Sequence, residues 1–433
     1  MHAGQWYRSM TGDSNRPMRY AAVVIIVLVL AAILVPSIDV LNGLGFFQER
    51  TYLLVLQDNS ELRNTGGFMA CVGSVDIQNG QPTNLKLYYS LSNAYANNTL
   101  SAAVNVDGPE SFTSFYNSSL VRFWDLNVQY DFATFAPIYL STWQELTGQH
   151  ADGVIALDLT GLQVLLKATG PLTVANETIT WRNIIDRIYF ASVTGGGVGK
   201  PDLAKFLGEM TGKLIAAVQG ANPIEKLLLL SNLQTLGQQR HLLIYAPDAL
   251  HGYDGAIQKK AGDYLYVVDA NSGGGKADLD VNRTITYHTD LHDNGTQTSN
   301  VTITYANNCG WTYKVFTTTL VPEGAELLNE RYSSYHLGPD VTESGDLTAF
   351  SSYVEVPAHS TGSVTYTYSL PTTLLPAGVF SHYDLYVPKQ AGIDQFTLNT
   401  AVTLPNGAQL IHESNVGNGT VTNGDVQVEV IYR

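Results

Sequence analysis

TYLLVLQDNSELRNTGGF, residues 51–68, is the stretch on which the reading of this chain turns. Tyr52 to Leu56 is an apolar run that reads as a strand entering a core. It ends in a polar knot of Gln57, Asp58, Asn59, Glu61, Arg63 and Asn64. Thr65-Gly66-Gly67 then turns the chain, and a second strand starts at Phe68. In open α/β sheets ligands bind beyond the carboxyl ends of strands. Paired glycines let backbone approach a ligand or another strand closely. Arg63 and its neighbours are therefore the first candidates for chemistry. The plainer reading is a hairpin-like connection whose polar groups satisfy one another.

Outward from that stretch, length and composition set the frame. The chain has 433 residues, enough for two or three domains with their own cores. Only 14% of residues are charged, against many Ser, Thr, Asn, Gly and Tyr, which is the balance of an exported surface protein. The formal charge of -15 leaves no basic stripe to displace counterions, so nucleic acid is excluded as a partner.

Towards the N-terminus, residues 21–35 are unbroken apolar sequence within a run from Tyr20 to Ile38. At about 1.5 Å per residue such a run spans the ~30 Å hydrocarbon core. Arg8, Arg16 and Arg19 precede it, and the next arginine is Arg50. The asymmetry places residues 1–20 in the cytoplasm, a signal-anchor helix at 21–38 in the cell membrane and the bulk outside. A cleaved signal peptide is the rival, but no small-x-small site follows Pro36.

Outside, sequons at Asn97, Asn117, Asn176, Asn282, Asn294, Asn300 and Asn418 permit glycosylation without showing it. Cys71 and Cys309 are the two cysteines; an oxidising compartment allows a bridge, and two lone buried thiols are the alternative.

The rest of the chain divides in two. Strands at 68–78 and 83–90 flank Asn79-Gly80, a hairpin signal. Helical periodicity follows at 132–146, 160–168, 180–190, 201–219 and 223–236, with short strands at 153–157 and 241–245. The glycines at 195–197 read as a linker, since no Lys-Ser/Thr ends them. After Gly275 the helical period gives way to Thr/Val/Tyr alternation at 279–289, 296–305, 312–321, 363–369, 396–404 and 426–432. The expected class is α+β: a transmembrane helix, an α/β layered domain at 45–275 and a β-sandwich at 276–433.

The pieces YLLVLQDNSELRNTGGF, DLNVQYDF, ADGVIALDLTGLQVLLKATGPLTV, RHLLIYAPD, VVDANSGGGKADLDVNRTITY, LVPEGAEL and YVPKQAGI occur in order between residues 51 and 410. Together they resemble the DUF4012 family, which implies a membrane-anchored envelope protein and no known activity. The first half is also distantly similar to the LytR-CpsA-Psr family. Its members are anchored enzymes that move glycopolymers from polyprenyl diphosphate carriers onto the envelope. Arg63-Asn64-Thr65 stands where that family has Arg-Ser-Asp-Thr, and Asp152 to Val174 resembles its strand-helix-Gly-Gly-Val unit. Where that family has Pro-Arg-Asp, this chain reads Tyr89-Ser90-Leu91-Ser92-Asn93.

Diphosphate chemistry needs arginine forks and a divalent cation such as Mg²⁺, itself held by one or two carboxylates. That resemblance makes Arg63 and Asp58 the catalytic candidates. Asn59, Thr65, Arg122, Arg182 and Arg187 become substrate ligands, and Asp58, Asp125 and Asp131 metal ligands. Asp131 also stands where a helix cap belongs, and Arg182 and Arg187 do not share a helix face. Two functions follow. One is an anchored protein that binds or transfers a lipid-linked glycan. The other is a non-enzymatic surface scaffold or adhesion protein working through its β-rich half.

Overall fold

The computed structural model describes residues 42–43, 45–79, 81–89, 103–105, 120–194, 203–248, 254, 257, 262–273, 275–370 and 380–433. The first half is built on one mixed sheet. Its strands are β1 (Arg50–Arg63), β2 (Gly66–Gln78) and β3 (Gln81–Tyr89), followed after the ribbon β4 (Ala103–Asn105) and β5 (Leu120–Arg122) by β6 (Gly153–Asp158). A second ribbon, β7 (Leu172–Val174) and β8 (Glu177–Ile179), precedes β9 (Leu242–Tyr245). The sheet order is β3-β2-β1-β6-β9, with β6 parallel to β1 and the other pairs antiparallel.

Among the described residues it is accompanied by α1 (Phe132–Thr147), α2 (Leu159–Thr169), α3 (Ile184–Thr194), α4 (Leu203–Gly220) and α5 (Pro223–Gln238). Strand periodicity sends alternate side chains to opposite faces. Leu53, Val55, Val154, Ala156 and Leu243 meet Phe135, Tyr139 and Trp143 of α1. Tyr52, Ile155, Leu242 and Ile244 meet Leu162 and Leu166 of α2 and Leu229 and Leu233 of α5. The starts of α1, α2 and α5 are capped: Asp131 accepts from Thr134 N and Asp158 from Gly161 N, both at 2.8 Å. Asn222 and Glu225 form a capping box on α5.

The second half holds β10 (Asp263–Tyr264), β11 (Tyr266–Asn271), β12 (Val281–Leu291), β13 (Gln297–Asn307), β14 (Tyr313–Pro322), β15 (Glu326–Tyr332) and β16 (Tyr335–Ser344). It continues with β17 (Leu347–Val356), β18 (Ser360–Leu370), β19 (Ser381–Val387), β20 (Phe396–Thr403), β21 (Leu410–Ser414), β22 (Gly417–Thr422) and β23 (Val426–Tyr432). They form three sheets, ordered β10-β19-β23-β21, β11-β14-β17-β16 and β15-β18-β13-β12-β20-β22. Side chains from all three enter one core, including Leu385, Val428, Val315, Val354, Val301 and Tyr366.

The α+β expectation is therefore corrected. Strands make up 52% of the structure and helix 21%, so the chain is mostly β. Two physical causes account for the difference. β1 runs straight through the polar knot to Arg63 instead of stopping at Leu56. β15, β16, β21 and β22 keep most side chains exposed, so no apolar alternation announces them. In place of a two-sheet sandwich, three sheets share a core. Pairing of this body starts at Asp263, upstream of the expected boundary at 276, because β10 joins β19 and β11 joins β14. The tail at 1–20, the apolar run at 21–38 and the glycines at 195–197 lie outside the described residues. No helix among the described residues is long and apolar enough to cross a membrane.

Candidate functional site

The polar knot is the inner surface of a seam between the two halves. Register shifts at Leu56/Gln57 and Asp58/Leu62 break the alternation of β1. As a result Gln57, Asp58, Asn59 and Ser60 are all buried. Asp58 is paired with Lys276 and accepts from Ser60 N at 3.1 Å and from the Ser60 hydroxyl. Asn59 accepts from Leu159 N at 3.2 Å through Oδ1. Its Nδ2 donates to Thr160 Oγ1 at 3.0 Å and to Gly392 O at 2.9 Å. One amide thus ties β1 to the start of α2 and to a loop far along the chain.

Arg63 is engaged in the same way. Nη1 donates to Leu62 O at 3.1 Å and Asn271 O at 3.0 Å; Nη2 meets Glu61 Oε1 at 2.8 Å. Its guanidinium also lies 5.5 Å from the Phe68 ring centre. The Gly66-Gly67 pair serves backbone contact. A Cβ on Gly67 would sit 2.4 Å from the Asp58 carbonyl, and one on Gly392 (φ +82°) 2.4 Å from Gly66 O.

The loop that reaches Gly66 is residues 388–395. Lys389 and Gln390 are fully buried in it. Lys389 Nζ donates to Gln390 O at 3.0 Å and to Ile393 O. Burial pushes its ammonium down to about 7. Gln390 accepts from Asp269 N at 2.9 Å and donates to Asp269 O at 2.7 Å and Arg63 O at 3.3 Å. Arg240, paired with Asp425, donates to Lys389 O at 2.8 Å. Beside it, Asp158 meets His241 Nδ1 at 2.6 Å.

Between this loop and β1 opens a cleft of about 330 Å³. Asp269, Asp278, Arg283, Tyr305, Tyr313 and Asp394 are among its walls. Arg283 Nη1 pairs with Asp269 Oδ2 at 2.7 Å, and Tyr305 OH donates to Asp269 Oδ1 at 2.7 Å. Asp278 accepts from Leu62 N at 2.9 Å, Tyr313 OH at 2.7 Å and Asn271 Nδ2 at 2.7 Å. Burial still pushes its carboxyl up to about 6.

The other candidates scatter. Asp125 comes near Arg63, Glu61 and Arg122; burial raises its carboxyl, and the two arginines work against that rise. Arg122 lies against Trp124, with 5.6 Å from guanidinium to ring centre. Arg182 stacks on Trp181 at 4.3 Å and Arg187 pairs with Glu177 at 3.1 Å. Asp131 is the cap of α1, and burial raises its carboxyl also. Thr65 is buried with no partner for Oγ1. Among the described residues no group of His, Cys, Asp and Glu has the arrangement of a metal site. Asn176, Asn282, Asn294 and Asn418 are exposed, and Asn300 is partly buried and donates to Thr367. Asn97 and Asn117 lie outside the described residues. Cys71 and Cys309 are both buried and unbridged. Sequence reasoning missed Lys276, Asp269, Asp278, Arg283, Lys389 and Gln390 as site residues. The strings VVDANSGGGKADLDVNRTITY and YVPKQAGI, which hold all six, were the available signal.

Residues 48–189 match the model of the family described as "Protein of unknown function (DUF4012)", so the resemblance read from the sequence is shown for that segment. No curated protein matches the chain. Among solved structures, protein gbs0355 from Streptococcus agalactiae is 12% identical at a TM-score of 0.31, covering 47% of this chain and 70% of that one. An M1 zinc metallopeptidase from Deinococcus radiodurans is 10% identical at 0.21, covering 36% and 43%. An aminopeptidase A from Legionella pneumophila is 13% identical at 0.20, covering 38% and 20%. Likeness at these scores carries no argument about fold or activity.

Proposed function

Taking the DUF4012 segment at 48–189 as premise, we propose that this chain is a cell-envelope protein that works as a non-enzymatic surface scaffold. In this reading the run at 21–38 anchors it in the cell membrane with the N-terminus inside, and the β-rich body outside meets its partners. The observation that carries the scaffold reading is the state of Arg63. Its guanidinium is spent on Glu61 and Leu62 O within β1 and on Asn271 O, the bond that joins β1 to β11. A phosphate-binding arginine keeps its fork for the ligand; this one holds two halves together.

The transferase reading, with a polyprenyl diphosphate-linked glycan as substrate and Mg²⁺ as cofactor, keeps one observation of its own. Arg63 and Arg122 both lie close enough to Asp125 for their charges to act on its carboxyl. Binding of a polyprenyl diphosphate with Mg²⁺, measured beside thermal unfolding, separates the two. A scaffold shows no saturable binding, and Arg63→Ala lowers its stability by about 1–3 kcal/mol, the worth of hydrogen bonds to a charged group. Arg63→Lys restores charge without the fork and recovers part of that loss. Saturable binding that Arg63→Ala weakens tenfold or more, at an unchanged melting temperature, would overturn the scaffold reading.

A further inference from the structure

Phe46 and Phe47 stand side by side just before β1 and are 48% and 64% exposed. Gln48 and Glu49 after them are exposed as well. Apolar residues exposed singly are ordinary on a protein surface. Two adjacent rings, at the place where the body receives the chain from the run at 21–38, call for a partner.

The connection between that run and the body is short and pinned. Asn42 Nδ2 donates to Asp248 O at 3.1 Å, and Arg50 Nη2 donates to Asn42 Oδ1 at 2.7 Å. Tyr52 OH donates to Gly43 O at 2.8 Å. Gly45 N turns back to Asn42 O at 3.0 Å, and Asn79 N reaches Gly45 O at 2.9 Å. Gly45 (φ +71°) is pressed against the β2–β3 turn, where a Cβ would come 2.3 Å from Ile77 O. The chain is therefore fixed to the body from Asn42 onward. Ile38 closes the apolar run four residues earlier. At no more than about 3.6 Å per residue, that connection reaches about 14 Å. Headgroups extend roughly 5–7 Å beyond each side of the hydrocarbon core. With 21–38 in the bilayer, the end of the sheet that carries Phe46 and Phe47 has no stalk to lift it clear.

The charges at this end do not favour an anionic headgroup. Glu49 is exposed and accepts the Thr83 hydroxyl at 3.3 Å. Arg50 is buried and paired with Asp152 at 2.8 Å. What the surface offers a membrane is apolar, as in segments whose aromatic side chains enter the boundary between headgroups and acyl chains.

We propose that Phe46 and Phe47 form a foot that inserts into the bilayer surface and seats this end of the sheet on the membrane. The proposal rests on the reading of 21–38 as an anchor and is indifferent to whether the protein is a scaffold or a transferase. β1 leads away from the foot, and its 14 residues put the seam about 40 Å along the strand.

The test uses the full chain reconstituted in phosphatidylcholine vesicles. Gln78→Cys places a fluorescent label on the exposed β2–β3 turn beside Gly45, while Cys71 and Cys309 are buried and stay unlabelled. Brominated lipid should quench that label, and aqueous iodide should not. Each ring is already about half covered, and sinking the remainder is worth about tenfold in the docked-to-free ratio. Phe46→Ser with Phe47→Ser should therefore shift that ratio about a hundredfold, so that lipid quenching falls and iodide gains access at an unchanged melting temperature. Phe46→Trp with Phe47→Trp should keep the label shielded. Flotation with the vesicles reports the anchor separately. A chain that fails to float removes the premise and the proposal together. A chain that floats, but whose label meets iodide as freely with the two rings as without them, overturns the foot and leaves the anchor standing. Shielding that needs anionic lipid and disappears in high salt overturns it too, since a charged contact would then hold the body down.

Discussion

The two halves bury different chemistry. In the first, sheet and helices meet through aliphatic and aromatic side chains such as Leu162, Leu165, Leu166, Ile155 and Phe135. In the second, Tyr287, Tyr305, Tyr366, Tyr368 and Tyr383 fill much of a core that three sheets share. Each tyrosine brings a hydroxyl that needs a partner when buried. Two fully enclosed carboxylates supply partners. Asp263 accepts from Tyr383 OH at 2.7 Å, from Tyr287 OH and from Gln297 Nε2. Asp269 accepts from Tyr305 OH and pairs with Arg283. Helices covering a sheet let aliphatic side chains close a core by themselves. Three sheets around one core leave wider gaps, which tyrosine spans, at the cost of carrying polarity inside. The seam follows the second half's habit: it too is held by buried amides and charges.

The sharpest way to break this comparison is to remove a carboxylate from the second core. Asp263→Ala takes from Tyr383 OH the acceptor it holds at 2.7 Å, whereas Tyr287 OH and Gln297 Nε2 each lose a carboxylate bond but keep Ser299 Oγ at 2.9 and 3.0 Å. The orphaned hydroxyl costs about 1–3 kcal/mol and the two lost bonds to a carboxylate add about 1–2 kcal/mol more, so a loss of roughly 3–5 kcal/mol is expected in denaturant unfolding. Adding Tyr383→Phe to that variant should recover part of the loss, because it deletes the orphan. Leu165→Ala in the first half costs about 2–5 kcal/mol by cavity formation, and no second substitution of a polar partner should rescue it. Equal behaviour of the two sites under such double substitutions would erase the distinction.

The seam gives the next effect, with opposite pH signs at its two ends. Lys389 has a folded value of about 7, pushed down chiefly by burial, against roughly 10.4 when unfolded. Between those values the unfolded chain binds more protons, so stability rises with pH from about 7 to about 10. Lys389→Met should flatten that rise by about 2–4 kcal/mol, read as the pH dependence of urea midpoints. Asp278 runs the other way. Its folded carboxyl, at about 6, binds a proton more tightly than the unfolded one, at roughly 3.9. Its contribution is greatest below pH 4 and is lost as pH rises through 6. At the wall of an open cleft the effect is discounted to about 1–2 kcal/mol, and Asp278→Asn should remove the slope between pH 4 and 6. A wild-type profile flat across both windows would show the seam to be electrostatically ordinary.

Much of the first half was legible. Apolar runs gave β1, β6 and β9, Asn79-Gly80 gave the β2–β3 hairpin, and the 3.6 period gave α1, α2 and α5 close to their observed bounds. Helix α3 starts at Ile184 and not at Thr180, because Asn183 first folds back to take Thr180 N at 2.7 Å. Alternation in the second half gave β12, β13, β14, β18, β20 and β23. It could not say which carboxylates face inward, since Asp263 and Asp269 look like any polar residue between apolar neighbours. The site was legible only at its near side. Asn59 and Gly392 stand 333 residues apart, and no local pattern announces that meeting. Arg63 drew attention by its place at the end of a strand, yet its carbonyl and guanidinium partners, Gln390 and Asn271, lie in the other half.

The smallest expected effect concerns the two thiols, one in each half. Cys71 is on β2 opposite Leu56 and Tyr89, and Cys309 joins the core of the β-rich body. A disulfide would have to cross between these separate interiors, and both cysteines are free. Burial pushes the Cys71 thiol up to about 12 and raises that of Cys309 as well, so neither presents thiolate at neutral pH. Melting with and without dithiothreitol should therefore coincide within about 0.5 kcal/mol, whereas a native bridge closing so long a loop would contribute about 2–4 kcal/mol. Iodoacetamide at pH 7 should label neither thiol in the folded chain and both in urea. A melting temperature that falls on reduction would join the two halves covalently, and the hydrogen-bonded seam would then be only part of what holds them.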